Sequence, residues 1–108
     1  MSKKQVITRA FIIERINDLL TSKITRRSFG EEMFAYLAFD DKNELEKGSE
    51  SILEIILGKF TEMHDLDRGN VGYNPELYCP TQRQMQYLCD CLKGTIVFSE
   101  NQYNNLKN

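Results

Sequence analysis

Residues 43–63 read Asn43-Glu44-Leu45-Glu46-Lys47-Gly48-Ser49-Glu50-Ser51-Ile52-Leu53-Glu54-Ile55-Ile56-Leu57-Gly58-Lys59-Phe60-Thr61-Glu62-Met63. Apolar residues recur here at helical spacing, and Asn43 with Glu46 three places on has the form of a capping box with Asn as cap. The spacing predicts the longest helix of the chain within Asn43–His64. Gly48-Ser49 is a second place where the main helix can begin. At about 100° per residue, Leu45, Ile56, Phe60 and Met63 fall within about 80° of Ile52. Glu46, Glu50, Glu54 and Glu62 then fall on the far side, and the successive Glu-over-Glu steps each destabilise by roughly 0.2–0.5 kcal/mol.

Three further helices are read outward from this stretch. Thr8 is an N-cap for a helix near 9–21, with Ile12, Ile16, Leu19 and Leu20 on one face. Thr25 caps a helix near 26–38 that carries Phe29, Met33, Tyr36 and Leu37. Thr81 and Gln84 form a capping box after Pro80, and Gly94 stops that helix, near 82–93. Its expected buried face is Met85, Leu88, Cys89 and Leu92, with Cys91 turned elsewhere. Residues 65–80 contain Gly69, Asn70, Gly72, Asn74, Pro75 and Pro80 and read as a long loop. The expected fold is all-α: a small four-helix, bundle-like domain with a long loop before the last helix. The expected core is Ile16, Phe29, Leu37, Ile52, Ile56, Phe60 and Leu88. Residues 1–108 form one domain, with 1–7 and 99–108 as frayed tails and Thr95–Phe98 as an extended segment.

Charge is strongly asymmetric. Residues 31–67 hold eleven acidic and three basic residues, whereas the first thirty hold seven basic and two acidic, within a chain of net charge −2. The basic head (Lys3, Lys4, Arg9, Arg15, Lys23, Arg26, Arg27) reads as pairing with the acidic middle, because a pI near 5.4 is wrong for a nucleic-acid binder. Two readings fit the acidic stripe. One is a solvated face that keeps the protein soluble. The other is a docking surface for a basic partner, made of Glu46, Glu50, Glu54 and Glu62 and extended by Asp40, Asp41, Asp65 and Asp67. Tyr73 and Tyr78 are candidate interface anchors, as is Tyr36, which fits the core edge better.

No motif for catalysis stands out. His64 is the single histidine and has no nucleophile beside it. Asp65–Glu76 fills positions one, three and twelve of a calcium loop, but position five is Gly69 and position six is Asn70, so no metal is expected. Serine-nucleophile, phosphate-loop, dinucleotide and zinc signatures are absent, and no cofactor is expected. Cys79, Cys89 and Cys91, an odd number without an export signal, suggest reduced thiols and a cytoplasmic protein. No apolar run reaches the roughly 20 residues that span a bilayer.

The run Ile12-x3-Ile16-x2-Leu19-Leu20-Thr21-Ser22-Lys23-Ile24-Thr25-x3-Phe29-x3-Met33 resembles the opening of small immunity proteins of the colicin D type. Related proteins neutralise toxins of contact-dependent growth inhibition. The resemblance covers about residues 8–65, and Ser22 stands where a Gly is commonest. It implies a protein that is no enzyme and that binds a nuclease domain, typically a tRNA-cleaving one. An acidic face would then occupy the basic site of that nuclease as a nucleic-acid mimic, with no direct nucleic-acid or membrane contact and a monomer or weak dimer as the free state. Two other readings stay open from the residues alone: a helical adaptor or regulatory subunit that buries an apolar face, and a small homo-oligomeric structural protein.

Overall fold

The computed structural model describes residues 4–38, 41–69 and 80–107, with side chains through Thr61 in the second stretch. Its elements are β1 (Gln5–Ile7), α1 (Arg9–Leu20), α2 (Arg26–Ala38), β2 (Asn43–Leu45), α3 (Glu50–Gly69), α4 (Gln82–Lys93) and α5 (Glu100–Asn105). The protein is mostly helical, as the periodicity implies, but it is not the plain four-helix bundle expected.

Residues 43–45 are the first correction. They form a strand, paired in parallel with β1 in the register Gln5↔Asn43, Val6↔Glu44, Ile7↔Leu45. The side chains divide between the two faces of the pair. Glu44 and Val6 face out, Leu45 packs against the core, and Ile7 is fully buried. Backbone bonds at both ends seal the pair: Gln5 N–H to the Lys42 carbonyl at 2.8 Å and Glu46 N–H to the Ile7 carbonyl at 2.9 Å. Gln5–Ile7, expected in a frayed tail, are thus held in a strand. Gly48, at φ +86°, turns the chain in a left-handed conformation that L side chains resist. The helix starts only after it, and Leu53 N–H bonds the Ser49 carbonyl at 3.0 Å. The second of the two possible starting points is therefore the one used.

Starting α3 at Glu50 rotates its buried face. Leu53, Ile56, Leu57 and Phe60 are buried, spaced at i, i+3, i+4 and i+7, while Ile52 is only partly buried. Leu37 is likewise partly buried; Ile16, Phe29 and Leu88 are in the core as expected. α2 lies along α3, and the Phe29 and Phe60 rings meet edge to face, centroids 4.6 Å apart at 89°.

The caps read from the sequence are present. Phe11 N–H bonds Thr8 Oγ1 at 3.0 Å and Ser28 N–H bonds Thr25 Oγ1 at 3.1 Å. Thr81 and Gln84 form the reciprocal capping box. α1 ends with Ser22 N–H on the Leu19 carbonyl and Lys23 N–H on the Asp18 carbonyl, a Schellman closure. Ser22 occupies the left-handed position at φ +62°, where glycine costs least.

The C-terminal segment is the second correction. Ser99 caps α5, whose Tyr103 is buried, so 99–107 is a folded helix end and not a tail. Gln84 explains the docking. Buried at 4% exposure, it donates to the Tyr103 carbonyl at 3.0 Å while its Oε1 accepts from Thr81 N–H at 2.9 Å. Thr81 Oγ1 donates to the Leu106 carbonyl at 3.1 Å, and Tyr87 Oη accepts from Ser99 N–H at 2.7 Å. α4, held between α1 and α5, buries a broad face that includes Tyr87 and Cys91, where the sequence reading had Cys91 turned away. A third correction concerns the loop: α3 runs on to Gly69, so residues 65–69 are helical backbone. The remainder of the expected 65–80 loop, through residue 79, lies outside the described residues.

Two stability measurements follow. Phe60→Ala removes a fully buried ring and its partner contact with Phe29. Chemical denaturation is expected to show a loss of about 3–5 kcal/mol; a loss under about 1 kcal/mol would contradict the burial. Glu46→Ala is expected to destabilise by about 0.5–2 kcal/mol, the range of a lost helix cap, because Glu46 Oε1 accepts from Arg9 N–H at 3.0 Å at the start of α1. Glu46→Gln, which keeps an acceptor, should recover most of that loss.

Candidate partner-binding surface

The acidic middle divides into groups that hold the fold and groups that face solvent. Glu46 belongs to the first. It is half-buried, at the N-terminus of α1, and not on α3 at all. Glu50 opens α3 and its carboxylate accepts from Gly48 N–H at 2.7 Å, fixing the turn. The expected Glu46-Glu50-Glu54 ladder is therefore reduced to the single helical step Glu50–Glu54. Glu32 is also internal in role. Arg15 grips it with Nη2 to Oε1 at 2.6 Å and Nε to Oε2 at 2.9 Å, and places Nη1 on Asp18 Oδ2 at 2.9 Å. This bidentate bond joins α1 to α2. It raises the Arg15 pKa, chiefly through the hydrogen bond to Glu32. Tyr36 Oη donates to the same carboxylate. Burial first, then that hydrogen bond, raise the tyrosine pKa well above its ordinary value.

These contacts are the pairing of basic head with acidic middle that the charge pattern suggested, and the sequence did not say which residues would pair. Arg15–Glu32 is only 24% and 21% exposed on its two side chains, whereas Arg27–Glu31 spans 3.9 Å with both side chains more than half exposed and contributes little.

The solvent-facing group is Asp41, Glu44 and Glu54, all exposed and, among the described residues, without an ion pair or side-chain hydrogen bond. Glu44 was not singled out from the sequence; its strand register puts it outside. Lys59 is the one basic residue of α3 among those whose side chains are described, and it points elsewhere. Its Nζ pairs with Glu100 and sits 5.1 Å from the Tyr103 ring centroid and 5.8 Å from that of Phe98. Glu54 is exposed on the outer face of α3 and, among the described residues, has no ion pair. Beside it stand Ile55, 39% exposed, and Gly58, around whose absent Cβ there is open space. Gly58 weakens α3 by about 1 kcal/mol relative to Ala, and its φ is not positive. Of the other expected contact residues, Asp40, Tyr73 and Tyr78, and the side chains of Glu62, Asp65 and Asp67, lie outside the described residues.

The described thiols are packing groups. Cys89 is 2% exposed and Cys91 4%. Burial pushes the Cys89 thiol from its ordinary 9.0 up to about 11, and raises Cys91 as well. A thiol that titrates higher when folded stabilises the protein fully below its unfolded pKa. For Cys89 that contribution is present below pH 9.0 and is lost as pH rises through about 11. At pH 8, iodoacetamide with mass-spectrometric site mapping is expected to leave Cys89 and Cys91 unmodified in the folded protein and to label both in denaturant. Rapid labelling of Cys89 in the folded protein would contradict its burial.

Compared with known proteins, the chain matches no protein-family model, no curated protein and no solved structure.

Proposed function

We propose that the protein is a non-catalytic immunity protein that binds and neutralises a cognate nuclease toxin of the tRNA-cleaving type. Its acidic surface covers the basic site with which the nuclease holds RNA phosphates. The observation that supports this reading best is that Asp41, Glu44 and Glu54 are exposed and, among the described residues, carry no ion pair. Basic nuclease sites attract such a surface at long range, so recognition gains speed as well as sign. The family resemblance of residues 8–65 points the same way. The place of action is the cytoplasm, where the RNA substrates of such a toxin lie.

The adaptor reading keeps one observation in its favour. Val6 at 47%, Ile96 at 39% and Val97 at 88% exposure are apolar side chains in water. A partner seated on those residues would bind with little dependence on salt.

Glu44→Lys with Glu54→Lys tests the proposal against a catalytically inactivated cognate nuclease domain. Both positions face away from the core, so the far-ultraviolet spectrum and melting temperature should stay close to wild type. The association rate is expected to fall by about tenfold or more at low ionic strength, and the difference should shrink as salt rises. An unchanged rate, or cells still fully protected by the double variant, would return these charges to a solubility role.

A further inference from the structure

Among the described residues, nothing requires Gly58 to be glycine. Two such requirements are general: a positive φ, or a neighbour too close to admit a Cβ. Positive φ among the described glycines belongs to Gly48 and Gly94. A Cβ built on Gly58 meets no atom within 4 Å. The residue sits well inside the 20-residue α3, where glycine is disfavoured and alanine would be tolerated without strain.

Its two preceding neighbours on the helix face are exposed. Glu54 lies four residues before it and Ile55 three before, within an arc of about 100° that is opposite Leu53, Ile56, Leu57 and Phe60. That arc carries an unpaired carboxylate, a half-exposed apolar side chain and a bare stretch of backbone. Such a surface admits close approach by another chain at Gly58, an apolar contact at Ile55 and a cation at Glu54.

We infer that Gly58 is the seat of the bound partner: a basic loop of the nuclease lies across the outer face of α3, its backbone against Gly58 and its Lys or Arg on Glu54. The inference rests on the proposed function, since charge complementarity identifies the occupant. It assigns to Gly58 the part of setting how closely the partner approaches.

Gly58→Ala and Gly58→Gln test it, with Glu54→Lys as the charge control and the inactivated nuclease domain as the probe. With open space above the position, Gly58→Ala is expected to raise Tm of the free protein by about 4–8 °C. Affinity should fall with side-chain size, a few-fold for Ala and about tenfold or more for Gln, mainly through a faster dissociation rate. Glu54→Lys should instead slow association at low salt. If Gly58→Gln binds like wild type while Glu54→Lys slows association, the inference falls and the acidic reading stands. A lower Tm for Gly58→Ala would show that the fold itself needs the glycine and would also overturn it. If the wild-type protein does not bind the nuclease, the proposed function fails and this inference fails with it.

Discussion

Arg9 and Glu46 tie the two ends of the architecture together. Arg9 N–H, one of the amides at the start of α1 with no helical partner, bonds Glu46 Oε1 at 3.0 Å. The Arg9 side chain reaches Ser49 Oγ through Nε at 2.8 Å and the Leu92 carbonyl through Nη1 at 3.4 Å. One residue thus meets the end of β2, the start of α3 and the last turn of α4. A cation beside the carbonyls that end a helix is favoured, as is a carboxylate beside the amides that begin one. Two short strands would be marginal alone. With Ile7 buried between them and the core, and the Arg9–Glu46 contacts behind them, they fix where α3 begins and hence which of its faces is buried.

That constraint also redistributes the charge. A continuous helix from Asn43 would have stacked Glu46, Glu50 and Glu54 in one repulsive row. The strand and the Gly48 turn remove Glu46 to the cap of α1 and give Glu50 a backbone amide to bind. The repulsion that made the row look functional is thereby mostly relieved. What remains outward is a smaller set, Asp41, Glu44 and Glu54, whose exposure is not needed by any contact within the described residues. Part of the basic head is committed in the same way: Arg9 and Arg15 hold elements together.

Helix existence was legible because caps and periodicity act locally. Thr8, Thr25, Thr81 with Gln84, and Gly94 each need only a few neighbours to do their work, and each lies where the local pattern places it. The strands were not legible. Gln5–Ile7 and Asn43–Leu45 are three residues each, too short for an alternation to show, and they pair across thirty-eight positions of sequence. Asn43 and Glu46 did match a capping pattern, but Asn43 Nδ2 donates to the Ala35 carbonyl at 3.2 Å, serving the preceding helix, and Glu46 serves α1. The sequence showed two capping residues without showing which helix ends they would meet. α5 was missed for a related reason. A six-residue polar helix has no apolar stripe, and it is held by tertiary contacts that sequence does not show: the buried Tyr103, Gln84 on its carbonyl, and Lys59 on Glu100.

α3 is consequently a helix with three separate tasks around its circumference. Its inner face, from Leu53 to Phe60, supplies the core and the edge-to-face ring contact with α2. One flank sends Lys59 to Glu100 and the rings of Phe98 and Tyr103, which fastens α5. A lysine that buries its stem and shields its charge over aromatic faces is costly to return to solvent. The outer arc keeps Glu54 exposed and, among the described residues, without an ion pair. That division of tasks is the feature through which the fold would serve the binding role proposed above.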